Sequence, residues 1–129
     1  MQVFEPYMMQ TDSRGLVCGI TRQEWVREVN YIETVAGEVR GNHYHRETIE
    51  MFFIIEGAVR VTARHLHSGH TEERVFSKGD IFLIEPYELH AFRVMEDAKW
   101  INMLSKPMAG TTPDLHQCRH DQPGEARLQ

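Results

Sequence analysis

Gly37-Glu-Val-Arg-Gly-Asn-His43-Tyr-His45-Arg-Glu-Thr-Ile-Glu50-Met-Phe-Phe-Ile-Ile-Glu-Gly57 sets two histidines two residues apart, a glutamate five residues after the second, and an unbroken apolar run that ends near a glycine. Successive side chains of a strand leave opposite faces, so His43 and His45 present two imidazoles side by side from one face. Residues 46–49 form a link long enough to turn the chain and bring Glu50 against the pair. Residues 51–55 are apolar at every position, which an antiparallel strand tolerates only when both faces are covered. One face is expected to point into a barrel and the other at a second sheet or subunit.

Outward from this segment the chain reads as short strands separated by turn residues. Strands are predicted at 15–20, 28–35, 42–45, 51–56, 58–67, 73–76, 81–84, 91–95 and 99–104. Glu56-Gly57 and Lys78-Gly79-Asp80 supply glycines for turns, and His67-Ser68-Gly69-His70 reads as a hairpin tip. Thr21 with Glu24 has the spacing of a capping box and predicts one short helical turn. The expected fold is all-β, a closed sandwich or barrel that leaves few strand edges open. Residues 1–106 make a single domain, and 107–129, with three of the five prolines, form a C-terminal tail expected to be extended or partly disordered. Phe52, Ile54, Phe82, Ile84 and Phe92 are read as interior, and Trp25 and Trp100 as packing at an interface or under a loop.

His90 follows the apolar segment 81–84 and can supply a third imidazole from across the barrel. Three imidazoles and a carboxylate suit one divalent transition ion such as Zn, Fe, Mn or Ni, with a coordination position left for a ligand. The same four groups could instead make a metal-free acid/base site. His65, His67 and His70 sit at a hairpin tip, where exposure is the default reading, and His116, Cys118 and His120 alternate along the tail. Tyr31, Tyr44 and Tyr87 are candidate pocket-lining proton donors, although an aromatic in a β-protein is more often packing.

Composition narrows the function classes. In 129 residues the net charge is −5, and the 14 basic residues are scattered rather than gathered in a stripe, which argues against nucleic acid. The longest apolar run is far below the ~20 residues that span a bilayer, so no membrane partner is expected, and the protein is placed in the cytoplasm. Cys18 and Cys118 lie at opposite ends of the chain and are read as two reduced thiols.

The 37–57 segment resembles the first motif of the cupin superfamily, G(X)5HXH(X)3-4E(X)6G, at every specified position. The second motif, G(X)5PXG(X)2H(X)3N, is partly kept from Gly79: its histidine is His90, but the proline falls one residue late at Pro86, Tyr87 replaces the glycine and Val94 the asparagine. The resemblance implies a double-stranded β-helix, a jelly-roll-like barrel, with His43, His45, Glu50 and His90 as metal ligands. Arg40-Gly41-Asn42-His43, preceded by Asp12-Ser13-Arg14-Gly15, further resembles cupins that epimerise or isomerise nucleotide-activated sugars. That likeness implies Arg40 and Arg14 as phosphate contacts, and His43 as the base if the site holds no metal. The expected activity is epimerisation or isomerisation of a keto-sugar nucleotide or similar carbonyl compound. The alternatives are an iron- or nickel-dependent dioxygenase and a non-catalytic small-molecule-binding cupin. A homodimer is expected, as the commonest oligomer.

Overall fold

The computed structural model describes residues 1–108 and 113–118. Among these described residues nine strands follow in order: β1 (Gln2–Phe4), β2 (Met8–Asp12), β3 (Gly15–Gly19), β4 (Glu28–Thr34), β5 (Val39–His43), β6 (Glu50–His65), β7 (Thr71–Ser77), β8 (Ile81–Ile84) and β9 (Glu88–Leu104). Among the described residues every regular element is a strand. The turn opening at Thr21 is not helical: the Thr21 hydroxyl accepts the Gln23 amide at 3.1 Å, a local turn that competes with a helix start.

β6 and β9 are the spine of the barrel, antiparallel to each other from end to end. The first half of β6 pairs with β8 and the second half with β7, while β9 takes β5 along its first half and β4 along its second. Each long strand therefore belongs to two facing layers, which is the double-stranded β-helix expected from the sequence. β1 extends the sheet beyond β8, β4 is its opposite edge, and β2–β3 form a separate hairpin.

Four of the predicted strands merge into these two. The expected turn at Glu56-Gly57 is a bulge inside β6, with register shifts between Ile54 and Val59. Gly57 has φ +88°, and a Cβ there would meet the Asp97 carbonyl oxygen at 2.3 Å and the Ala98 Cα at 2.7 Å, so only glycine lets the two spines bend together. The bulge also switches parity: Phe52 and Ile54 point inward before it, and Val59, Val61 and Ala63 are buried after it.

Residues 51–55 are covered on both faces. Phe52 and Ile54 join Phe82, Phe92 and Trp100 in the interior cluster, and each such side chain removed from water is worth about 1.5–3 kcal/mol. Met51 packs in an outer cluster with Ile81, Leu83 and Met103, against Phe4, Ile20, Trp25 and Val26. The covering layer is thus the chain's own N-terminal segment rather than a second sheet or subunit. Trp100 is 1% exposed and part of the barrel core, not under a loop. Residues 113–118 of the expected tail lie against the barrel through a bridge between Tyr44 and His116; His120 lies outside the described residues.

Candidate functional site

His43 ends β5, and its inward aim depends on a second bulge. β5 pairs Arg40 with Phe92, Gly41 with Ala91 and His43 with His90, leaving Asn42 over. Gly41 and Asn42 both have positive φ, +91° and +61°. Without that extra residue Arg40 and His43, three apart, would face opposite sides; with it both face the interior beside Phe92 and His90. Glu50 opens β6 on the same inward parity as Phe52, and His90 lies on β9 in line with Phe92.

The four ligand atoms offered by His43, His45, Glu50 and His90 lie within 4.8 Å of one another. The ring centroids are 5.1 Å apart for His43 and His45, 4.6 Å for His43 and His90, and 5.7 Å for His45 and His90. Ligands bound at about 2.0–2.2 Å sit at most roughly 4.4 Å apart, so movements of a few tenths of an ångström suffice to surround one ion. The tautomers agree. Nδ1 of His45 faces the Asp114 carbonyl at 2.5 Å and Nδ1 of His90 faces the Glu88 carbonyl at 2.9 Å. A carbonyl only accepts, so both rings carry the proton on Nδ1 and keep Nε2 for the cluster. Nε2 of His45 is buried directly against a Glu50 oxygen, so the nitrogen and the carboxylate that a metal ion would take as neighbouring ligands already face each other.

Electrostatics favour the ligating protonation states of three members. Burial and the facing His90 push His43 down to about 4. Burial likewise lowers His90, and both rings are neutral at pH 7. For Glu50 burial opposes the charge, but the contact with His45 and the neighbouring imidazoles outweigh it and lower the carboxyl. His45 goes the other way: burial disfavours its charge, yet Glu50 and the Asp114 carbonyl raise it. These shifts bear on the base expected of a metal-free site. His43 near 4 is far from the neutral pH at which a general base works best.

The cluster borders a cavity of about 420 Å³ whose other polar walls are Glu28, Asn30, Asn102 and Arg40, and whose apolar walls include Phe52, Phe92 and Trp100. An amide chain crosses it: Asn30 Nδ2 donates to Glu28 at 3.0 Å and to Asn102 Oδ1 at 3.2 Å, and Asn102 Nδ2 donates to Glu50 at 3.3 Å. Arg40 is held by the Thr34 hydroxyl at 2.6 Å and the Glu33 carbonyl at 3.2 Å.

The other expected contacts are not in this wall. Tyr31 alternates with the inward Asn30 and Ile32, so it faces out, 58% exposed, and donates to Glu33. Tyr44 lies between His43 and His45 and turns away from them to stack with Tyr87, which also packs on His67. Tyr87 has φ +65°, the left-handed conformation that a glycine in this place takes freely. Arg14, its side chain 89% exposed, is tied to Asp12 in the β2–β3 turn. Glu28, Asn30, Asn102 and Asp114 went unread in the sequence. Polar residues at inward positions of apolar strands were the available signal for the two asparagines; for Asp114 there was none.

The sequence from residue 10 to 105 matches the family described as the polysaccharide biosynthesis C-terminal domain. The chain belongs to that family. No curated protein sequence matches it. Among solved structures the family member is similar to the capsular polysaccharide assembling protein CapF from Staphylococcus aureus, with 22% identity and a TM-score of 0.66, over 85% of this chain and 33% of CapF. It therefore spans about a third of CapF's length. It is also similar to ChmJ, a 3'-monoepimerase from Streptomyces bikiniensis in complex with dTDP-quinovose, at 19% identity and TM-score 0.77, over 95% of this chain and 71% of that one. A double mutant of the QdtA 3,4-ketoisomerase from Thermoanaerobacterium thermosaccharolyticum, in complex with TDP, gives 18% identity and TM-score 0.74, over 91% and 88%. At these identities the likeness establishes a shared fold, the cupin double-stranded β-helix. Among the described residues no helix of this family member is long and apolar enough to cross a membrane.

Proposed function

We propose that this chain epimerises or isomerises a carbon beside the carbonyl of a keto-sugar nucleotide, with one divalent transition metal held by His43, His45, Glu50 and His90. The observation that carries the reading is the convergence of three imidazoles and a carboxylate at the wall of a cavity that also presents a guanidinium and a second carboxylate. The activities named for ChmJ and QdtA on the same fold support it. When bound, the ion supplies Lewis-acid polarisation of a carbonyl.

The remaining chemistry falls to residues that are not ligands. Glu28 is the cavity carboxylate outside the cluster and takes the role of base toward the acidified C–H, oriented by Asn30. Arg40, braced by Thr34 and Glu33, offers a planar fork to a phosphate. Phe52, Phe92 and Trp100 form an apolar wall that limits water at the reacting carbon. The cavity of about 420 Å³ accommodates the sugar, with the nucleotide reaching out past Arg40. A homodimer formed along edge strand β4, where Val29 and Tyr31 are exposed, is part of the same reading.

The test is deuterium wash-in from D₂O into a keto-sugar nucleotide, followed by mass spectrometry and NMR. Label is expected at one carbon next to the carbonyl, and Glu28→Gln is expected to abolish it with metal content unchanged. Oxygen consumption without label would replace the isomerase with a dioxygenase. Saturable binding with neither label nor oxygen uptake would leave a binding module.

A further inference from the structure

We propose that Asp114, far along the chain from every other group of the cluster, is a positioning residue that sets the affinity and geometry of the metal centre; this deepens the metal reading above and rests on it. Asp114 addresses the ligand loop with both its side chain and its backbone. One carboxylate oxygen accepts the Arg46 amide at 3.0 Å, and the other accepts the Glu47 amide at 2.8 Å, the Thr48 amide at 2.9 Å and the Thr48 hydroxyl at 2.8 Å. Every backbone donor from 46 to 48, between ligands His45 and Glu50, is thereby fixed to a single side chain.

The Asp114 carbonyl takes the Nδ1 proton of His45. Its peptide unit thus dictates which nitrogen of that ligand faces the cluster. Neighbouring contacts hold the segment in place. Tyr44 and His116 exchange backbone hydrogen bonds at 2.9 and 3.0 Å, and His116 Nε2 lies 2.9 Å from the first Asp114 oxygen. The Asp114 side chain is 8% exposed. Met108 and Leu115 of the same C-terminal stretch line the cavity, so this stretch both walls the cavity and orients a ligand.

A loop brace alone would affect folding. A positioning residue affects the metal. The experiment compares wild type, Asp114→Asn and Thr48→Ala, each stripped with chelator, by competition titration with Zn²⁺ and by the visible spectrum of the Co²⁺-loaded form. Asp114→Asn keeps the size but exchanges one of the two acceptor oxygens for an NH2 group that can only donate, so the 46–48 amides can no longer all be bonded, and it is expected to weaken Zn²⁺ binding about 10- to 100-fold and to shift the Co²⁺ bands. Thr48→Ala removes one of these bonds and is expected to weaken binding several-fold, with a smaller spectral change. It carries the test if Asp114→Asn does not fold. Unchanged affinity and an unchanged Co²⁺ spectrum, even with a lowered melting temperature, would overturn the proposal while leaving the metal site standing. Failure of the wild type itself to bind Zn²⁺ or Co²⁺ would overturn both.

Discussion

Metal binding at pH 6 is predicted to release about one proton, not the two or more expected of three ordinary histidines. Ligands must be deprotonated to bind, so the count reports the protonation of the metal-free cluster. Unperturbed imidazoles with a pKa near 6.5 are ~75% protonated at pH 6, and three of them would release ~2.3 protons. In this cluster His43, pushed down to about 4, is only ~1% protonated at that pH. Burial lowers His90 in the same direction, so it is assigned neutral alongside His43, and Glu50, lowered as well, is ionised. His45 alone, raised by Glu50 and Asp114, holds its proton and must give it up. A zinc-bound water with a pKa near 7 remains largely neutral at pH 6 and adds little. Isothermal titration of Zn²⁺ into chelator-stripped protein, in buffers of different ionisation enthalpy, yields the count from the slope of apparent enthalpy. The apparent affinity is expected to fall about tenfold per pH unit below the His45 pKa. A release of two or more protons, or none, refutes the assignment of one charged and two neutral rings.

Three further outcomes follow from the same structure. The metal-free protein is expected to lose stability as pH falls from 6.5 toward 4, because a His43 held below its unfolded value contributes fully above 6.5 and loses that contribution through its folded pKa. That contribution is roughly 3 kcal/mol, to be read from urea midpoints across this pH range; a flat profile contradicts it. Gly57→Ala, with φ +88° and a Cβ 2.3 Å from the Asp97 carbonyl oxygen, is expected to cost about 2–5 kcal/mol in urea unfolding, and a cost below ~1 kcal/mol would show that the bend does not need glycine. Arg40→Ala is expected to raise KM for a sugar nucleotide roughly tenfold or more with little change in kcat, and an unchanged KM would remove Arg40 from phosphate binding.

The four-residue cluster was legible because its spacing is local: His43, His45 and Glu50 fall within one segment, and His90 keeps its offset from Gly79. Alternating burial marks β4 and the stretch of β9 from Ala98 to Asn102, whereas β8 is buried at all four positions and carries no such alternation. The bulges were not legible. Gly57 looks like a turn residue in sequence, and only the approach of Asp97 and Ala98 from β9 makes it a bend within one strand. Tyr87 holds a positive φ that its identity argues against, sustained by the amide it gives to the His45 carbonyl at 2.7 Å. Asp114 lay in a stretch without periodicity, and its role arises from a chain path that no local pattern encodes. The tyrosines misled as pocket residues because one-residue parity decides which side they occupy, and at Tyr31 that parity is set by Asn30 and Ile32.

X-ray absorption of the Zn²⁺-reconstituted protein examines the coordination directly. The expected first shell combines nitrogen and oxygen at about 2.0–2.2 Å, with outer-shell scattering from three imidazole rings that drops to two in His90→Ala. A shell of water oxygens without ring scattering, or a wild-type spectrum indistinguishable from that of His90→Ala, would mean that these four side chains do not hold a metal.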